Sequence, residues 1–195
     1  MVADRARDMP QVPQTLLIPV GRALSDAITL LAGISLGHTV CPTPADATER
    51  EKEKYGLALS PASGGFSVLF TSGTTGDPKA VRLGLEQWRA SSHAFAAYHR
   101  INPGDAWLLS IPLYHAGGFA ILMRALLLGM RVAIPETAST EELRRWMEDE
   151  RLLGVSVVPT VLRRILDSGP VRLRGRKKIL VGGAPAPRAL MERAL

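Results

Sequence analysis

A loop rich in hydroxyl groups and glycine, ending in a lysine, occupies residues 70–81, Phe-Thr-Ser-Gly-Thr-Thr-Gly-Asp-Pro-Lys-Ala-Val. It follows an apolar run, 66–70, that is typical of a buried strand. Hydroxyls and backbone N–H groups can donate hydrogen bonds to an anion, glycines allow close approach, and lysine adds a compact positive charge. The loop therefore predicts a phosphate-binding site, with candidate residues Thr71, Ser72, Gly73, Thr74, Thr75, Gly76 and Lys79.

The loop differs from the P-loop of nucleotide hydrolases, in which glycine directly precedes the lysine and a hydroxyl residue follows it. Here Asp77 and Pro78 separate Gly76 from Lys79, and Ala80 comes next. An ordinary surface loop of biased composition is one alternative. The loop resembles instead the signature of the adenylate-forming (AMP-binding) superfamily, Thr-Ser-Gly-Thr-Thr-Gly-x-Pro-Lys-Gly, and departs from it only at the final glycine.

A second segment, Ile-Pro-Leu-Tyr-His-Ala-Gly-Gly at 111–118, resembles the Pro-Leu-aromatic-His turn of the same superfamily. The resemblance implies that His115 lines or gates the place where a carboxylate substrate meets ATP, and so takes part in catalysis with Lys79. A histidine that merely caps the following helix is the alternative. The position of this segment after the phosphate loop favours the first interpretation.

A third segment, Lys-Ile-Leu-Val-Gly-Gly-Ala-Pro-Ala-Pro at 178–187, predicts a strand, a glycine turn and a helix beginning near Pro187. It resembles the superfamily turn that passes against adenine, since a flat base can approach bare backbone closely. An ordinary strand-to-helix turn is the alternative. The resemblance implies nucleotide contacts at Gly182, Gly183, Ala184 and Pro185.

Within the superfamily the chain is most similar to acyl-CoA synthetases, and in particular to the o-succinylbenzoate–CoA ligases of menaquinone synthesis. The resemblance implies that a carboxylic acid attacks the α-phosphate of ATP, that pyrophosphate leaves, and that coenzyme A captures the acyl-adenylate. Mg²⁺ is expected to arrive with ATP, and no protein metal site is predicted. A nucleotide-binding remnant without turnover and a basic RNA-binding module remain the alternative functions.

Superfamily members also carry blocks that this sequence lacks, among them Tyr-Gly-x-Thr-Glu, Thr-Gly-Asp and a late catalytic lysine. The expectation is therefore that residues 1–195 are a fragment or truncated copy of the large N-terminal domain, without the small C-terminal domain.

Apolar runs and helical periodicities alternate along the chain and predict an α/β fold, an open sheet covered by helices on both faces. Each of the three segments follows a predicted strand, so they can converge at the carboxyl ends of the strands. One helix is expected to bury Trp88, Phe95 and Tyr98 on a single face. The remaining predicted strands are 15–20, 38–41, 106–110, 131–134 and 155–158, and the remaining helices surround 24–34, 117–128, 143–147 and 161–166.

The remaining composition argues against several other classes. Cys41 is the single cysteine, so no internal disulfide is possible, and the histidines lack metal-ligand spacing. No apolar run is long enough to span a membrane and no signal core is visible, so a cytoplasmic location is expected. The net charge of +6 includes a basic region at 163–178, which is interpreted as a solvated surface because no nucleic-acid-binding motif accompanies it.

Overall fold

Strands and helices alternate in the computed structural model, which describes residues 1–59, 66–72, 78–173 and 177–194. The strands form two four-stranded sheets, and helices pack against them. The predicted α/β class is confirmed. The strands do not form one continuous sheet, however, because the antiparallel β4 ends the first sheet before the second begins.

The first sheet has the order β1-β2-β3-β4. β1 and β2 are parallel, as are β2 and β3, whereas β3 and β4 form an antiparallel hairpin. The sequence analysis did not predict β4, nor the short first helix. The elements of this part are α1 Val2–Arg7, β1 Thr15–Val20, α2 Leu24–Ser35, β2 Thr39–Pro44, α3 Glu49–Ala58, β3 Ser67–Ser72 and β4 Pro78–Leu83.

The second sheet is entirely parallel and has the order β6-β5-β7-β8. Helices alternate with its strands, as the sequence pattern predicted. Its elements, and the helix that precedes them, are α4 Leu85–His99, β5 Ala106–Leu108, α5 Ala116–Leu128, β6 Arg131–Ala133, α6 Thr140–Glu148, β7 Leu152–Val157, α7 Pro159–Asp167, β8 Lys178–Val181 and α8 Arg188–Glu192.

The expected buried face of α4 holds for two of its three aromatic residues. Trp88 and Phe95 are 5% and 8% exposed, whereas Tyr98 is 84% exposed. Tyr98 lies in the last turn of α4, just before Arg100 takes a left-handed conformation. The prediction for Tyr98 was wrong because, at about 100° per residue, Tyr98 projects roughly 60° away from Phe95, whereas His99 continues the inward face and packs near Trp107.

Trp107 on β5 is held on two sides by β7. Its indole Nε1 donates a buried hydrogen bond of 2.9 Å to Ser156 Oγ, and its ring lies over the backbone of Gly154. A Cβ atom added to Gly154 would approach the ring to 2.3 Å. Only glycine at this position leaves room for the indole in a close-packed interior.

Gly154→Ala is expected to destabilise the fold by about 1–3 kcal/mol, because Trp107 cannot move without breaking its bond to Ser156. Urea unfolding, followed by tryptophan fluorescence and circular dichroism, measures the change. Gly56→Ala is the matched control, since a Cβ there meets nothing within 4 Å and the residue lies in exposed α3. It should be neutral or stabilising by about 0.5–1 kcal/mol, and equal effects of the two changes would contradict the packing argument.

Candidate active site

A cleft of about 1010 Å³ opens where strands from both sheets end. Its walls include Thr71 at the end of β3, His115 in the turn before α5, and Gly182 and Gly183 after β8. These residues come from the three segments that the sequence analysis selected. The cleft is large enough for a nucleotide and a small acid, since ligand pockets typically have about 300–1,000 Å³.

The phosphate loop is the connection of the β3–β4 hairpin. Thr71 pairs with Lys79 across the strands, and its Oγ1 donates a 3.5 Å hydrogen bond to the Lys79 carbonyl. Ser72 pairs with Pro78, which closes the described part of the hairpin. Residues directly opposite on an antiparallel pair project to the same face, so Lys79 shares a face with Thr71. Lys79 is exposed and is not among the residues that line the cleft. Gly73, Thr74, Thr75 and Gly76 lie outside the described residues.

The turn before α5 is fixed to the first sheet and to its own helix. Leu113 N donates to the Gly21 carbonyl, 2.7 Å away, at the loop that follows β1. Arg22 Nη1 donates to Ser110 O at 3.4 Å and strengthens the same junction. These bonds join the end of β1 to the chain segment that carries His115.

His115 is the N-cap residue of α5, and its carbonyl accepts the Phe119 N–H at 2.9 Å. Its side chain makes no capping hydrogen bond. The capping alternative therefore accounts for the backbone of this residue but not for its imidazole, which lines the cleft beside the Tyr114 ring. Desolvation lowers the pKa of His115, so the ring is neutral near pH 7 and can both donate and accept a hydrogen bond.

The glycine turn after β8 has one constrained residue and one open residue. Gly183 has a φ of +83°, which disfavours any side chain there. A Cβ on Gly182 would meet no atom within 4 Å, so this backbone is open to a flat ligand. Ala184 and Pro185 are exposed and are not among the residues that line the cleft. Their predicted nucleotide contacts have no support in this geometry.

Arg124, on α5, was not among the candidate site residues, yet it lines the cleft. Its guanidinium lies over the Phe95 ring, 3.7 Å from the centroid, and its Nε is buried without a hydrogen-bond partner. Burial lowers the pKa of Arg124 to about 10, which still leaves it charged near pH 7. In sequence, its only signal is that it interrupts an otherwise apolar helix, 116–128.

A Gly-x-Ser-x-Gly pattern at 33–37 lacks the structural context of a hydrolase nucleophile. Such a serine lies in a sharp turn from a strand to a helix. Ser35 instead ends α2, and its Oγ donates to the Ala32 carbonyl at 2.8 Å.

The basic region at 163–178 is partly used inside the fold. Lys177 donates to the carbonyls of Asp149 and Leu152, and burial lowers its pKa. Arg174 and Arg176 lie outside the described residues. Among the residues that the structure describes, no cluster of metal-ligating side chains occurs, and no helix is long and apolar enough to cross a membrane.

Comparison with known proteins decides the family. The model of the family described as AMP-binding enzyme matches residues 27–195. The chain belongs to the AMP-binding enzyme family. A 2-succinylbenzoate–CoA ligase from Oceanobacillus iheyensis is 32% identical over 137 residues, which is 66% of this chain and 27% of that protein. The chain thus spans about a quarter of the length of this curated relative.

Solved structures of AMP-binding enzymes share the fold. The o-succinylbenzoate CoA synthetase of Bacillus subtilis in complex with its acyl-adenylate intermediate superposes with a TM-score of 0.83 at 20% identity. The match covers 99% of this chain and 49% of that chain. The same synthetase in complex with ATP and magnesium ion gives a TM-score of 0.83 at 19% identity, covering 99% of this chain and 50% of that one. At such identities these matches concern the fold alone.

Gly118→Ala is expected to displace the His115 turn, because a Cβ at this position would lie 2.1 Å from the Pro112 carbonyl oxygen. Gly117→Ala is the control, since its Cβ would meet only the Ile111 side chain, with Cδ1 at 3.0 Å and Cγ2 at 3.8 Å. We expect Gly118→Ala to lower the free energy of unfolding by about 1–3 kcal/mol and to shift the His115 imidazole resonances in NMR spectra. Equal, small shifts in both variants would show that the turn does not depend on this close approach.

Proposed function

We propose that residues 1–195 form part of the AMP-binding domain of a 2-succinylbenzoate–CoA ligase. The enzyme would join the acid to ATP, release pyrophosphate and transfer the acyl group to coenzyme A. Membership of the family, the curated relative of that name and the similarity to synthetase structures with bound ATP and magnesium ion support this assignment. The proposal concerns the whole protein of which these residues supply the nucleotide and acid cleft.

In this proposal, different walls of the cleft bind the phosphates, the adenine and the reacting carboxylate. Thr71 and Lys79, at the end of the hairpin, would hold the departing β- and γ-phosphates, together with Ser72, Gly73, Thr74, Thr75 and Gly76. The open backbone at Gly182 and Gly183 would receive the adenine. Neutral His115 would donate a hydrogen bond to an oxygen at the reacting carboxylate. Mg²⁺ would be carried on the ATP phosphates and would offset their charge during the displacement.

The half-buried guanidinium of Arg124, which lines the cleft, is the observation that favours a substrate with two carboxylates. One carboxylate must react at the α-phosphate, while the other is carried into the cleft as a permanent charge. Arg124 lines the cleft with a half-buried guanidinium, where a charge-assisted hydrogen bond to a carboxylate is strong. 2-Succinylbenzoate carries one carboxylate on its succinyl chain and one on its ring, and so meets this requirement.

We propose a cytoplasmic location for this activity. ATP and coenzyme A are supplied there, and the single cysteine, Cys41, is a buried free thiol, which is compatible with a reducing compartment.

ATP–pyrophosphate exchange by the full-length protein that contains residues 1–195 tests the function. Exchange that depends on 2-succinylbenzoate, and not on 4-oxo-4-phenylbutanoate, would support a dicarboxylate ligase. The second acid retains the succinyl chain but lacks the ring carboxylate, which makes it a matched comparison. Binding of ATP without exchange with any acid would instead favour the nucleotide-binding alternative, and a chain that does not bind ATP would contradict both.

Arg124→Met is expected to weaken 2-succinylbenzoate binding about tenfold to a hundredfold, since hydrogen bonds to charged groups contribute roughly 1.5–3 kcal/mol. Methionine keeps much of the side-chain volume but removes the charge. Isothermal titration calorimetry in the presence of a non-hydrolysable ATP analogue measures the change. Binding of 4-oxo-4-phenylbutanoate and of the analogue should be unchanged, and so should every affinity in the control Arg131→Met. An equal loss for both acids would refute the assigned role.

Lys79→Ala is expected to weaken ATP binding about tenfold to a hundredfold, because it removes a charged contact to the outer phosphates. AMP binding should be nearly unchanged, because AMP lacks the β- and γ-phosphates. Titration of each nucleotide in magnesium-containing buffer provides the measurement. The control is Lys52→Ala, which removes a lysine from exposed α3 that pairs with Glu49. If ATP and AMP lost affinity equally, the lysine would not act on the outer phosphates.

A further inference from the structure

Arg124 rests on an aromatic surface instead of on a carboxylate. Its guanidinium carbon lies 3.7 Å from the centroid of the Phe95 ring, across the interface between α4 and α5. No ion pair to Arg124 is found within the described part of the chain. Burial and the positive charges of Lys178 and Arg124 lower the pKa of His99, so the ionisable groups near His99 and the guanidinium bring positive charge and no carboxylate. The electron-rich face of Phe95 is therefore the group in contact with the guanidinium that offsets this half-buried charge.

The Phe95 ring is itself held in place from two sides. Trp107 meets it edge-on, with centroids 5.0 Å apart and planes at 74°, and His99 lies 4.5 Å away on the next turn of α4. Trp107 is in turn bonded to Ser156 and seated over Gly154. A series of contacts thus runs from β7 through Trp107 to Phe95 and ends at the guanidinium.

We propose that Phe95 is the positioning residue for Arg124, and that its ring sets the preference of the cleft for acids with a second carboxylate. This inference rests on the proposed function, because it assigns the acid that Arg124 receives. Phe95 is 8% exposed, does not line the cleft and acts only through the arginine.

A guanidinium that loses its aromatic partner gains by turning toward water, since an unpaired buried charge is costly. Its planar donor fork would then no longer face the acid. A neutral apolar replacement for Phe95 should fill the volume without holding the cation, whereas another aromatic ring should hold it.

The experiment compares Phe95→Leu with Phe95→Tyr, using calorimetric titration of 2-succinylbenzoate and 4-oxo-4-phenylbutanoate with a non-hydrolysable ATP analogue present. Phe95→Leu should weaken binding of the dicarboxylate about tenfold and leave the monocarboxylate unchanged, and Phe95→Tyr should retain the wild-type ratio. Phe119→Leu is the matched control, because Phe119 is a buried phenylalanine of the same core whose ring lies against Trp88, whereas the cation–π contact of Arg124 is with Phe95. Should Phe95→Leu fail to fold, Phe95→Met replaces it. A ratio of affinities that is the same in wild type and Phe95→Leu would overturn the inference.

A second measurement separates this inference from the proposed function. The Arg124 Nε–H resonance, assigned by its loss in Arg124→Met, should exchange slowly with water in the wild type and in Phe95→Tyr. It should exchange at least tenfold faster in Phe95→Leu. If neither acid binds the wild type, the proposed function fails, yet this exchange still decides whether Phe95 holds the arginine. Equal exchange in Phe95→Leu and wild type would overturn the positioning role even if the acid binds.

Discussion

Helix α4 joins the two sheets, and the geometry of the cleft depends on that attachment. Trp88 donates a buried 2.9 Å hydrogen bond to Ser67 at the start of β3, in the first sheet. Phe95, two helical turns later, packs edge-on against Trp107 of β5, in the second sheet. Both aromatic residues therefore lie on one face of α4, where Trp88 contacts the first sheet and Phe95 contacts the second. Because β3 carries the phosphate loop and β5 leads to the His115 turn, these contacts keep the two parts of the cleft opposite each other.

The charge distribution of the cleft agrees with its proposed anionic ligands. Arg50, Lys54 and Arg124 line it, and the single acidic residue among its described walls is Glu51. Glu51 is engaged at the start of α3, where its carboxylate accepts bonds from the Thr48 N–H and hydroxyl. A cleft lined by one sign of charge concentrates ligands of the other sign. ATP and a dicarboxylic acid both carry several negative charges, so the two substrates benefit from the same field.

The sequence was sufficient for those elements whose apolar pattern is strong and local. β1 has the predicted bounds, and α6 contains the predicted helical residues 143–147. β4 was missed because Pro78–Leu83 forms an edge strand with alternating, half-exposed residues, which weakens its apolar signal. The division into two sheets depends on pairings between distant strands, which local periodicity does not contain.

The signature motifs identified Thr71, His115 and Gly182 as candidate site residues, but only the fold shows that they line one cleft. Arg124 could not be found in this way, because a lone arginine in an apolar helix gives no indication of which direction it faces or what supports it.

The nucleotide side and the acid side of the proposed cleft differ in how closely they are tied to the hydrophobic core. The nucleotide side consists of turns and strand ends, where glycine and hydroxyl residues can change with little effect on the core. The proposed acid side consists of the half-buried guanidinium of Arg124, which lies against Phe95 of the main hydrophobic core. A half-buried arginine whose Nε is fully buried without a hydrogen-bond partner is costly to the folded state, and an apolar side chain of similar volume would often be neutral or stabilising there. Such a residue lowers stability in the absence of ligand and regains favourable interactions when an anion enters. Selectivity for a second carboxylate would thus be tied to core packing, so that α4, α5 and β5 must change together before the cleft could prefer an acid without that charge.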